Sequence, residues 1–364
     1  MNIQKAHDVA PPEWLAQVQE PALCPGQIIV DPHHHLWDRQ GQLYLLPQFL
    51  EDQAGGHRIV STVYVQGRAM YRAGAHALAP VGETEFARGV AAMCASGRYG
   101  ETRVCDGIVA HADLTQGDDV ERVLQAHVEA GGRHFKGIRH MATWDADSAL
   151  MNPDVAPPPH LLGEPRFRRG FAVLDRMGLV FDAWVFHPQL PDVVALASAF
   201  PDTTIVLNHL GGILNIGSYA GRREEIRTDW LASLRELAAC PNVYLKLGGL
   251  GMRISGFDYP SRPRPPNSTE LAADFAPYML PAIDLFGPER CMFESNFPVD
   301  KRSFTYQVLW NAFKRLAANM SEAERDHLFY RTAANAYRLN LDHAIPDGSC
   351  FQTQARTYAP CMDR

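Results

Sequence analysis

The sequence predicts a single α/β domain folded as a (β/α)8 TIM barrel. Three observations predict it. Eight short apolar runs recur along the chain, amphipathic stretches separate most of them, and polar residues gather just past their C-terminal ends. The runs are Ile28–Asp31, Thr62–Gln66, Gly107–Ala112, Phe135–Ile138, Val180–Phe186, Thr204–Leu207, Val243–Leu247 and Cys291–Glu294. Most are rich in Val, Ile and Leu and bounded by Gly, Pro, Asn or Asp, as strands buried on both faces are.

Residues 1–27 read as an N-terminal extension with no apolar core of a secretory signal. The first run continues as IIVDPHHHLWD, where alternation puts Asp31, His33 and His35 on one face. The second, STVYVQG, offers Tyr64 and Gln66, and the third, IVAHADL, offers His111 and Asp113. DDVERVLQAHVEAG follows with apolar residues at helical spacing. The fourth run, HFKGIRH, ends in Arg139 and His140 and leads into a Pro- and Gly-rich insertion, residues 141–165. RFRRGFAVLDRMG is the next helix. The fifth run, VFDAWVFHP, reads with Phe181, Ala183 and Val185 as inward layers and His187 above them. The sixth, TTIVLNHLGG, places Ile205 and Leu207 below His209 in the same way. After the helix RREEIRTDWLASLRELAAC, the seventh run, VYLKLGGLGM, carries Lys246 as a cation inside the mouth and opens a second insertion, residues 252–268. ELAADFAPYMLPAIDLFG is helical. The eighth run, CMFESNFPVD, puts Met292, Glu294 and Asn296 on one face, with Glu294 one layer deeper than Asn296. Ser321 and Glu324 match a capping box opening SEAERDHLFYRTAANAYRL. The barrel is thus read over residues 28–340, followed by a tail of weak periodicity, 341–364. The rival fold, an open doubly wound sheet, is disfavoured because no GxGxxG or GxxxxGK[ST] follows any strand.

Composition excludes several classes. Of 364 residues 46% are hydrophobic and 21% charged, which is globular rather than disordered or fibrous. No apolar run approaches the ~18 residues of a membrane helix. The net charge of −7 and the lack of a basic stripe argue against a nucleic-acid partner. Seven scattered cysteines without a CxxC pair fit a reduced, cytoplasmic protein rather than a disulfide scaffold.

The chemistry is in the histidines. His33, His35, His187 and His209 come from three strand ends to one rim, and HxH on a strand end points two imidazoles into one pocket. Nitrogen ligands of this kind suit a divalent transition metal. A lone strand-end histidine is more often a satisfied structural residue; four on one rim shift the balance. Arg139 suits a bidentate grip on a carboxylate, against the blander reading of a surface ion pair. Glu294 inside a barrel is costly unless it meets a cation, an imidazolium or a metal. Trp37 and Trp184 either wall the pocket or pack the core.

DPHHHLWD, the strand-end His187 and His209 (NHLGG), KGIR and CMFESNFPVD, in this order over roughly residues 28–340, resemble the amidohydrolase superfamily. The nearer likeness is the amidohydrolase-2 branch that holds lactonases. The resemblance implies a site at the strand C-termini with His33, His35 and His187 on a metal, Zn or Mn. It also implies a catalytic aspartate after the eighth strand. That stretch here reads Glu294-Ser295-Asn296-Phe297-Pro298, so Asn296 stands where the family has aspartate. Some lactonases of the branch work without metal through that same aspartate, so a metal-independent site is the other expectation.

The function expected is hydrolysis of a lactone or related carboxylic ester of a small organic acid by water attack on the carbonyl. Glu294 is the candidate replacement base, His209 orients water or substrate, and Asn296 is a catalytic polar group. Arg139, His140, Tyr64, Gln66 and His111 are the candidate substrate contacts. The partner expected is a small carboxylate-bearing lactone, with no nucleic acid and no membrane; a homo-oligomer is left open. Two alternatives stand beside it: a metal-dependent non-oxidative decarboxylase on the same scaffold, and a barrel that binds a ligand without turnover.

Overall fold

The computed structural model describes residues 10–39, 42–74, 76–151 and 155–345. Eight parallel strands form one sheet: β1 (Ile28–His34), β2 (Arg58–Val65), β3 (Arg103–Ala110), β4 (Phe135–Met141), β5 (Val180–Trp184), β6 (Ile205–Leu207), β7 (Val243–Leu247) and β8 (Cys291–Phe293). Each is followed by a helix: α1 (Leu46–Gln53), α2 (Val81–Ala95), α3 (Glu121–Gly131), α4 (Pro165–Arg176), α5 (Leu190–Ala199), α6 (Arg223–Ala238), α7 (Ser268–Phe286) and α8 (Tyr306–Leu316). The strands pair in chain order, and the ends of the sheet meet through a bridge between His34 and Phe297. Backbone bonds from Asn296 N to His33 O (2.9 Å) and from His35 N to Phe297 O (2.8 Å) complete the seam. This is the expected (β/α)8 barrel.

Two apolar layers hold it. Outward residues such as Ile108, Ile138, Phe181, Ala183, Leu207, Leu245 and Phe293 pack against the helix ring. Inward residues Val30, Val63, Val65, Val109, Val180, Val206 and Met292 pack inside. That inner layer is closed by Tyr330, Ala333, Ala334 and Tyr337, which come from a π-helical turn (His327–Arg331) and the helix Thr332–Tyr337 after it. The predicted helix at 321–339 is therefore present in three pieces, opened by the Ser321–Glu324 capping box, with Glu324 donating its backbone N–H to Ser321 Oγ. Leu341 and Ala344 extend the same cluster, so the start of the expected tail packs on the barrel floor; residues 346–364 lie outside the described set.

The N-terminal extension is tied to the second insertion and to α8. Trp14 Nε1 donates to Arg262 O, Leu23 N to Asn311 Oδ1, and Lys314 Nζ to Leu23 O. The second insertion lines a cavity of about 320 Å³ with the loops that follow β6 and β8, and the first is tied to the loop after β6 by Tyr219 OH donating to Asp145 Oδ2 at 2.7 Å. Among the described residues no helix is long and apolar enough to cross a membrane, and Cys24, Cys94, Cys105, Cys240 and Cys291 are free thiols.

Candidate active site

Above the apolar floor the barrel turns polar. On β5, Val180, Asp182 and Trp184 alternate with the outward Phe181 and Ala183, so Asp182 points inward. Lys246 on β7 meets it, Nζ to Oδ2, at 2.7 Å; neither side chain is exposed. Asn208 Nδ2 donates to the same carboxylate oxygen at 2.8 Å, and the Tyr337 hydroxyl lies 2.8 and 3.0 Å from its two oxygens. Buried charges persist when they are paired and hydrogen-bonded in this way.

One layer higher, Glu294 bridges two histidines. Its Oε1 accepts from His209 Nδ1 at 2.7 Å and from His209 N at 3.1 Å, and its Oε2 lies 2.8 Å from His33 Nδ1. The two rings are 4.4 Å apart. His209 reaches this place because the chain leaves β6 through a left-handed turn, with φ +54° at His209 and +56° at Leu210. Room for it depends on Gly249, whose φ is +73° and where a Cβ would fall 2.6 Å from that of His209. Gly248 makes similar room for Glu294, since a Cβ there would fall 2.4 Å from its Cγ.

Arg139 enters from β4. Its Nη1 is 3.2 Å from His33 Nε2, its Nη2 donates to Gln66 O at 2.6 Å, and its buried Nε has no hydrogen-bond partner. Burial pushes its pKa down to about 10, which leaves it a cation at neutral pH. His35 donates Nδ1–H to Val65 O (2.8 Å), and its ring lies 5.0 Å from His33. Burial holds His33 well below the ordinary imidazole range, with Lys246 adding to the effect; burial and then Arg139 do the same to His35. His209 is also lowered by burial, which the adjacent Glu294 carboxylate opposes. Each downward shift favours the neutral imidazole, the form that ligates metal or accepts a proton.

His33, His209 and Glu294 each present a donor atom within 4.8 Å of the others. Glu294 Oε2, despite its closeness to His33, has no aligned hydrogen bond. Two buried imidazoles and one carboxylate with donor atoms this close are the ligand types that fit a divalent ion such as zinc.

The structure brings together His33, His35, His209, Glu294 and Arg139. Other expected residues lie elsewhere. His187 stands outside the trio: its Nδ1 accepts from Leu214 N (3.3 Å) and its ring packs 5.3 Å from Tyr219. The inward phase read for β5 is reversed, because Phe181, Ala183 and Val185 face the helices. Ile205 and Leu207 also face outward, and only the left-handed turn restores His209 to the interior. Tyr64 points away from the mouth, its hydroxyl on Glu83 Oε1 of α2 at 2.7 Å. Gln66 serves Arg139 through its backbone oxygen. His140 accepts from Leu114 N and packs against Phe167 of α4, whereas half-buried His111 bonds Arg139 O through Nδ1. Asn296 has φ +55° and turns its amide to Asp300, Nδ2 to Oδ1 at 2.9 Å. Asp31 follows the inward Val30 and so faces the helix ring, where it accepts from Ser295 Oγ (2.6 Å) and Tyr306 OH (3.0 Å); the register slip after it, between Asp31 and His34, separates its face from that of His33.

Asp182, Asp300 and Tyr337 were not singled out from the sequence. A signal existed for Asp182: it is a charge inside the apolar run VFDAWVF, as Lys246 is inside VYLKL. Nothing local marks Tyr337.

Comparisons with known proteins agree with this architecture. The amidohydrolase family model matches residues 30–339. An uncharacterised protein of Sinorhizobium fredii is 32% identical over 336 residues, which cover 85% of this chain and 98% of that one. An L-fucono-1,5-lactonase of Burkholderia multivorans is 29% identical, covering 86% of this chain and 97% of the other. An amidohydrolase from Burkholderia multivorans, solved with bound zinc, superposes with a TM-score of 0.64 at 27% identity, covering 86% of this chain and all of that one.

Proposed function

The chain belongs to the amidohydrolase family, and on that premise we propose that it hydrolyses the lactone of a small organic acid at the His33–Glu294–His209 cluster. The observation that carries the reading is Glu294 lying between the two imidazoles, 2.7 Å from one and 2.8 Å from the other. The relatives named as lactonases support the same bond type.

Ring opening needs a proton taken from the attacking water, a group to meet the charge on the carbonyl oxygen, and that proton returned to the ring oxygen as the acyl C–O bond breaks. Glu294 fixes His209 through Nδ1, which leaves Nε2 with its lone pair for the proton; a carboxylate orienting an imidazole base is a recurrent catalytic pairing. Glu294 therefore acts through His209 rather than on water directly. Arg139 keeps its charge in a dry site and supplies donors where the oxyanion forms. Asn296, held by Asp300, lies beside this machinery and not in it. A divalent ion would be held by His33, His209 and Glu294, with His209 then a ligand and not the base, and it would supply a polarised carbonyl and a more acidic water.

The test is acid release from a panel of sugar-acid and dicarboxylate lactones, with metal content measured on protein purified without chelators. Glu294→Gln should lower turnover by about 10²-fold or more with folding intact. A fully active Gln variant removes Glu294 from the mechanism. Carbon dioxide release without alkali consumption moves the assignment to decarboxylation.

A further inference from the structure

The floor under the reacting groups is made by a segment outside the eight strand–helix units. Tyr337 is fully buried at the end of the helix Thr332–Tyr337, and its ring lies under the Lys246 ammonium at 5.1 Å. Packing alone would be met by phenylalanine. The hydroxyl instead lies 2.8 and 3.0 Å from the two oxygens of Asp182, while Lys246 and Asn208 hold Oδ2. Lys246 Nζ is in turn 3.3 Å from His33 Nδ1, the atom that faces Glu294. Lys246 is thus shared between Asp182 below and His33 above.

We infer that Tyr337 is a positioning residue for the reaction, fixing the Asp182 carboxylate so that Lys246 is held against His33. Three donors on Asp182 leave it one orientation. Without the hydroxyl the carboxylate can turn about its last bond, Lys246 becomes its dominant partner and follows it, and His33 loses its neighbour at Nδ1. The ring then settles differently between Glu294 and Arg139. The kinetic arm of this inference rests on the hydrolytic reading above; the spectroscopic arm does not.

The experiment compares Tyr337→Phe with Tyr330→Phe, whose hydroxyl donates to Asp326 in the same segment. Tyr337→Phe should lower kcat by about 10-fold with KM within about 2-fold, and should move the imidazole nitrogen signals of His33 in histidine-labelled enzyme, assigned with His33→Gln. Tyr330→Phe should change neither. In a Lys246→Met background the Tyr337 substitution should add nothing to the loss in kcat. Unmoved His33 signals, or activity per folded molecule equal to wild type, overturn the inference. If the wild type opens no lactone in the panel, the hydrolytic reading falls by itself and the His33 signals decide. Should Tyr337→Phe fail to fold, Asn208→Ala removes the other neutral donor from Asp182 and is judged by the same two readouts.

Discussion

The wall and the seam of this barrel are built by different means. From β4 to β7 the strands run in unbroken register, Gly137 opposite Val180 through Met141 opposite Trp184, then Phe181, Ile205 and Val243 in line. Side-chain parity alone decides what faces inward there, and it delivers Arg139, Asp182 and Lys246. Where β8 meets β1, one isolated bridge replaces the ladder, β1 slips by its bulge, and Asn296 takes a left-handed conformation. His33 and Glu294 come from that seam, and His209 from another irregular turn. The regular wall fixes buried charge, and the phase of β8 carries Glu294 inward; departures from regularity bring the two imidazoles to that carboxylate.

Substitutions can break this contrast or sharpen it. The largest effect should be on the wall: Lys246→Met leaves the Asp182 carboxylate buried without its cation, which should cost about 3–5 kcal/mol of folding stability by urea unfolding. A loss no larger than that of a surface pair, under about 1 kcal/mol, would erase the distinction. At the seam, Glu294→Gln should instead act mainly on turnover, as set out above.

A pH effect should follow at the seam. Burial raises Asp300 to about 8, against hydrogen bonds from Gly251 N and Asn296. A carboxyl whose folded pKa lies above its unfolded value contributes stability that is complete at low pH and lost as pH rises through the folded pKa. Relative to Asp300→Asn, the wild type should lose stability from about pH 4 up to about pH 8, by at most about 1.4 kcal/mol per pH unit, and level off beyond. A difference that does not change with pH would mean Asp300 is ionised throughout.

The smallest effect is expected at His187. Its ring lies against Tyr219, its Nδ1 is engaged by Leu214 N, and burial lowers it to about 4. His187→Gln should change kcat/KM by less than about 3-fold and leave the metal content of purified protein unchanged. Loss of bound metal would return His187 to the ligand set.

The same contrast explains how far the sequence could be read. Strand order, the helices at 165–176 and 223–238, the capping box at Ser321 and the inward phase of Met292 and Glu294 follow from spacing, because regular elements obey their periods. The run VFDAWVF is apolar on both faces, so hydrophobicity gives no phase. Counting back from His187 gives the wrong one, because the chain leaves the strand after Trp184 and enters a tight turn at His187–Gln189. His209 was found although the alternation used to reach it fails, since two left-handed residues undo the error. Tyr337 lies 155 positions from Asp182, and no local pattern reports so distant a pairing.

The position of Tyr337 in the chain has a consequence for biosynthesis. All eight strands leave the ribosome before it does, so a nascent chain can hold every histidine of the cluster above an open floor. Its buried aspartate would still be reachable by solvent. The floor is thus among the last parts of the described chain to be synthesised, and a message truncated after α8 would lack the residues that cover the inner apolar layer.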